Sequence, residues 1–127
     1  MFEKLELTRM AQALAAQSGA RMAVIAENIA NADTPGYKAK DMPAFAEVYE
    51  SAGQDMRATR PGHLTAAASG TMPIPDVVRG HEAPNGNSVS LEAEMVKSVE
   101  ARQSHDMALA IYRATSDVIR ASLGRPR

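Results

Sequence analysis

Small and apolar residues recur near the start of the chain at Leu7, Ala11, Leu14, Ser18, Met22, Ile25 and Ile29, in steps of 4, 3, 4, 4, 3 and 4. Such spacing keeps one stripe on one side of a helix. No proline and only one glycine, Gly19, falls between Glu3 and Asn31, so the pattern predicts a single long helix there. At ~1.5 Å per residue it is roughly 40 Å long. The far end of the chain repeats the arrangement. Val96, Val99, Gln103, Met107, Ala110, Ala114, Val118 and Ala121 are spaced 3, 4, 4, 3, 4, 4 and 3 apart. Ser90 stands where an N-cap belongs, Glu92 and Glu94 suit the first turn, and Gly124 and Pro126 close the segment. Both stripes repeat every 11 residues rather than every seven, which predicts a nearly straight pair rather than a leucine zipper.

Between the two stripes the periodicity stops. Ser51 to Asn87 holds Gly53, Pro61, Gly62, Gly70, Pro73, Pro75, Gly80, Pro84 and Gly86. Phe45 to Tyr49 fits a short helix and Val77-Val78 a short strand. The remainder is long for a loop in a compact domain, and is expected to be mobile in the free chain or shaped by partners. The expected fold is therefore all-α, with long N- and C-terminal helices packed as a coiled-coil-like pair and joined by a largely irregular middle. Residues 1–36 hold the first helix and its turn, 37–88 the middle and 89–127 the last helix, the two helices forming one assembly domain.

Composition adds a reason to expect other chains. Of 127 residues 45% are hydrophobic, but only 4% are aromatic and none is Trp, so large core-filling side chains are scarce. Met107 to Tyr112 reads MALAIY and is apolar on every side of a helix. One partner helix covers one stripe, so the other sides need further neighbours.

Net charge is −1 with the signs interspersed, which excludes an extended phosphate-binding face. Arg113, Arg120, Arg125 and Arg127 near the end are cations that a helix C-terminus favours, so no nucleic-acid partner is expected. Without cysteine there are no disulfides, thiolate metal sites or thiol nucleophiles. The start, MFEKLELTRM, has neither the basic n-region nor the apolar run of a cleaved signal, and delivery without signal cleavage is expected. His63, His81 and His105 stand far apart without ligand spacing. Ser88, Ser90 and Ser104 lack a nucleophile elbow, and APNGNS is a turn before the last helix rather than a phosphate loop. The residues give no catalytic site, metal, cofactor or small-molecule substrate.

One short stretch remains. NIANADTPGYKAKD, Asn28 to Asp41, stops the first helix with Asn31, Asp33, Pro35 and Gly36. Thr34-Pro35-Gly36 suits a type II turn, with Pro fixing one φ and Gly taking a positive one. Tyr37 can then fold back on the helix while the Asn side chains satisfy its last carbonyls. Through Asn28, Ile29, Ala30, Asn31, Thr34, Pro35, Gly36 and Tyr37 the stretch resembles the N-terminal signature of the axial proteins of the bacterial flagellum. The chain is as short as the two small proximal-rod types. PNGNSVSLEAEM, Pro84 to Met95, is similar to one of them, while EMVKSVEAR has some likeness to the other.

The resemblance implies a non-enzymatic structural subunit of the proximal rod in the flagellar basal body. Its terminal helices would polymerise into a hollow axial structure that transmits torque and encloses the export channel. It implies as partners other rod subunits and further copies of the chain, the ring and export-gate junction proteins, and the type III export apparatus. A helical export chaperone or adaptor is the rival of another class. The expected assembly interface is Leu7, Leu14, Met22, Ile25, Ile29, Val96, Val99, Met107, Leu109, Ile111 and Val118. The turn motif is Asn28, Asn31, Thr34, Pro35, Gly36 and Tyr37.

Overall fold

The computed structural model describes residues 2–52, 73–80 and 82–124. Helix α1 spans Phe2–Ala30, strand β1 Lys40–Asp41, helix α2 Phe45–Ala52, strand β2 Asp76–Val77 and helix α3 Leu91–Ser122. The two strands form an antiparallel ladder with Lys40 opposite Val77 and Asp41 opposite Asp76. The molecule is otherwise a long helical pair. Asn28 near the end of α1 bonds to Glu94 near the start of α3, so the two helices run antiparallel. Ser90 caps α3 as its sequence position asks: its backbone is extended and its Oγ accepts from the Ala93 N–H at 3.4 Å.

The seam between the helices follows a different repeat from the expected one. Beside Gln17, Val24 and Asn28, which are also buried, the seam has Ala11, Ser18 and Ile25 in one row on α1 and Glu94, Ala101, Ala108 and Thr115 in one row on α3. Each set is seven residues apart, the period of a left-handed pair, so the 11-residue reading is corrected. On α1 the two repeats overlap enough that the same side is buried. They part company at the end, where Asn28 is 0% exposed and Ile29 37%. On α3 they select different sides. Val96, Val99, Met107 and Val118 are 48 to 66% exposed, although they were expected to face α1.

The reason is steric. Most positions in these rows hold small residues, Ala11, Ser18, Ala101 and Ala108, with Ile25 and Glu94 as the large side chains, so a row of Val and Met would add bulk there. Size also decides where the stability lies. Val24 and Ile25 are the larger aliphatics buried on α1, and each is worth roughly 1.5–3 kcal/mol.

The expected mobility of Ser51 to Asn87 lies outside the described residues for 53–72 and 81. Its described parts include two main-chain hydrogen bonds. The Val78 N–H donates to Ala39 O at 2.8 Å, and the Gly86 N–H to Ala83 O at 2.8 Å.

Candidate functional site: a clamp at the end of the first helix

Where α1 stops, its last carbonyls have no helical partner. The Asn31 side chain turns back, its Nδ2 donating to Glu27 O at 2.8 Å while its Oδ1 accepts from Thr34 Oγ1 at 3.2 Å. The Tyr37 N–H closes the turn on Thr34 O at 3.3 Å, and Gly36 between them has φ 73°. A type II turn with Pro35 and Gly36 at its centre requires that sign of φ. The Tyr37 hydroxyl then reaches α1, 3.3 Å from both Glu27 Oε1 and Asn28 Oδ1.

A Cβ on Gly36 would meet no atom within 4 Å, so its cost there is backbone strain rather than a clash. Gly36→Val is expected to lower unfolding stability by about 1–2 kcal/mol, and Gly36→Asn by less, since Asn tolerates this conformation. Pro35→Ala should cost under about 1 kcal/mol, because Ala reaches the same φ. Urea unfolding of the three variants checks the order.

A second loop grips this turn, and sequence reasoning saw it only as a turn. Asn87 is 3% exposed, and its Nδ2 lies 2.8 to 2.9 Å from the carbonyls of Asn31, Ala32 and Thr34. Its Oδ1 accepts from the Val89 N–H at 2.7 Å. Around it the two loops exchange main-chain bonds. The Gly36 N–H donates to Asn85 O at 3.0 Å, and the Ser88 N–H to Tyr37 O at 3.1 Å. Gly86, with φ 80°, backs onto Gly36, whose Cα a Cβ would approach to 3.4 Å. Lys38 crosses to Glu82 and to Gly86 O.

Asn28 joins this clamp to α3. Its Nδ2 donates to Lys40 O at 2.7 Å and to Glu94 Oε2 at 2.9 Å, while its Oδ1 accepts from the Lys40 N–H at 3.0 Å. Both amide hydrogens and the oxygen are used, as a fully buried amide requires. Glu94, 2% exposed, receives Lys97 Nζ on its other oxygen at 2.8 Å. Lys97 also lies 3.4 Å from Asp41, which Arg21 grips with two nitrogens at 2.9 and 3.1 Å. Cation and carboxylate thus alternate from α1 through β1 to α3.

Burial alone would raise the Asp41 carboxyl, but the Arg21 hydrogen bond, the Met42 N–H and two nearby cations outweigh it and hold it below the usual range. Burial would likewise lower Lys97, but Glu94 and Asp41 raise it. A depressed acid stabilises fully above its ordinary value, near ~3.9, and loses that contribution as pH falls through the folded value. A raised amine stabilises fully below ~10.4 and loses it as pH rises through the folded value. Melting temperature should therefore be flat between those edges and fall beyond both. Asp41→Asn should lower the plateau and flatten the acid edge.

The structure brings Asn28, Asn31, Thr34, Pro35, Gly36 and Tyr37 together in one junction, and adds Arg21, Lys40, Asp41, Asn87, Ser88 and Glu94. The aliphatic residues do not converge. Ile25 is buried in the seam, Leu14, Met22, Leu109 and Ile111 are half-buried, and Leu7, Ile29, Val96, Val99, Met107 and Val118 face outward. Among the described residues no group of His, Asp and Glu is placed to hold a metal ion, and none of the described helices is long and apolar enough to cross a membrane.

Comparison with known proteins points to the same residues. The profile of a family described as flagella basal body rod protein matches residues 10–38, the greater part of α1 and its turn. The flagellar basal body rod protein FlgB of Salmonella typhimurium is 29% identical over 101 residues, 72% of this chain and 73% of the relative. Its namesake from Agrobacterium fabrum is 31% identical over 118 residues, 88% of each chain. The chain belongs to the FlgB family of flagellar basal body rod proteins.

Proposed function

We propose that the chain is a structural subunit of the proximal rod, which polymerises through α1 and α3 into a hollow axial structure. In that structure it transmits torque and surrounds the export channel. The observation that carries this reading is the outer side of α3. A helix already paired along one seam leaves Met95, Val96, Val99 and Met107 between 53 and 66% exposed, with Tyr112 and Val118 at 37 and 48% nearer the seam. Apolar surface left uncovered on that scale is surface meant for other chains. The clamp supplies the second requirement of a polymer, since every copy must present that surface at one angle to its outgoing segment. Leu7 and Ile29, exposed on α1, belong to the same contact set.

The partners in this reading are further copies, neighbouring rod subunits, and the ring and export-gate junction on which the rod starts. The type III export apparatus delivers the chain to the periplasmic part of the basal body without signal cleavage. Isolation of basal bodies from the native bacterium, with the chain tagged in the middle segment, tests it. The chain should co-purify with the rod, start at its initiating methionine, and be required for motility. Its absence from basal bodies of swimming cells would refute the assignment.

A further inference from the structure

Two thioethers stand in the open on α3. Met95 is 56% exposed and Met107 53%, whereas Met42 is 7% exposed, and Met10 and Met22 are half-buried. Met95 lies one turn from both Leu91 and Val99, and all three are exposed, so they form one apolar row on α3. Met107 is exposed in the MALAIY run, together with Tyr112. The chain has no cysteine, so no thiol competes for an oxidant.

We propose that Met95 and Met107 are modification sites at which an oxidant of the peroxide class switches off the assembly surface of α3. A sulfur lone pair attacks the peroxide oxygen and the O–O bond breaks. The S=O bond forms, and the displaced hydroxide takes the peroxide's proton and leaves as water. Sulfur loses two electrons and the peroxide gains them. The product is a sulfoxide, polar and strongly hydrogen-bond accepting, in place of a thioether that could be buried dry. Covering it with an apolar neighbour would strip that oxygen of water without a donor in return. Sulfoxide reductases reverse the change, so the site can be reset. Selective oxidation follows from exposure alone, while its effect on association rests on the assembly reading above.

The test uses the full-length chain, hydrogen peroxide and three readouts. Peptide mass spectrometry should show Met95 and Met107 converting at least several-fold faster than Met42. Sedimentation should show self-association weakened about tenfold or more in the oxidised chain, while circular dichroism shows the helices kept. Met95→Leu/Met107→Leu, compared only with its own untreated sample, should show the same association before and after peroxide, whereas the parent loses its association. Equal conversion of Met42 would overturn the inference, as would unchanged association of the oxidised parent. Helix loss in step with lost association, or a Leu variant still sensitive to peroxide, would overturn it too. An untreated parent that does not self-associate would also overturn the switch, while the rod assignment is decided separately by the basal-body isolation.

Discussion

Asn28→Asp is expected to destabilise the helical pair by at least about 3 kcal/mol, although it exchanges only an amide NH2 for an oxygen. The amide nitrogen donates to Lys40 O and to Glu94 Oε2. A carboxylate there would set a second negative charge against the buried Glu94 and leave Lys40 O without its donor. Glu94 is 2% exposed and Asn28 0%, so water cannot screen the repulsion. Lys97 already serves Glu94 and Asp41, and Arg21 is committed to Asp41. Asn28→Ala should cost less, because it leaves groups unpaired but adds no charge. Glu94→Gln should be milder still, since an amide oxygen can accept from Asn28. For a chain of this size the Asp variant should melt roughly 10 °C or more below the parent. A thermal scan with the parent beside it is enough. Melting within a few degrees would mean that the junction tolerates reorganisation and does not fix the helices.

Val96→Glu/Val99→Glu is expected to have the largest effect of all on assembly and almost none on the chain alone. Both side chains are more than half exposed, 60 and 66%, and neither is part of the seam. Substitutions at such positions change stability by about 0.5 kcal/mol or less. In a polymer that covers them, each Glu would be desolvated opposite apolar atoms, at several kcal/mol per subunit contact. Cells carrying the pair of changes should export the protein and fail to swim. The MALAIY run gives a less clean experiment. Leu109 and Ile111 are half-buried and flank Ala108, which is 0% exposed in the seam, so Glu at those positions would also open the helical pair. Normal swimming by the Val96→Glu/Val99→Glu strain would show that this side of α3 faces water in the rod.

The fate of individual residues shows what the amino-acid pattern could and could not reveal. Helix positions were legible because caps and breakers are local: Ser90, Pro35 and Gly36 act on their own neighbours. The seam on α3 was not, because a search for large apolar residues passes over Ala101, Ala108 and Thr115, which are buried through close approach rather than through size. Glu94 misled for the same reason. In the first turn of a helix an acid is ordinarily a partner for the helix dipole, and only the arrival of Asn28 from 66 residues away makes it a buried acceptor. Of the clamp, the half in Asn31 to Tyr37 was readable because it satisfies itself locally. Asn87 was not, since its three carbonyl partners lie more than fifty residues upstream. Its only sequence signal was an Asn placed directly after a turn glycine, too common a pattern to single it out.

The central claim is that α3 has two working sides, one closed on its own α1 and one reserved for neighbouring chains. Photo-crosslinking within assembled basal bodies tests it most directly, with a photoreactive amino acid placed singly at Val99, Val96 or Arg102 on the exposed side, or at Ala101 in the seam. Val99 and Val96 should give crosslinks to a second polypeptide, while Ala101, 1% exposed, should yield only internal links to α1. Crosslinks between chains from Ala101, with none from Val96 or Val99, would contradict the account, for they would place the neighbour where α1 is packed here.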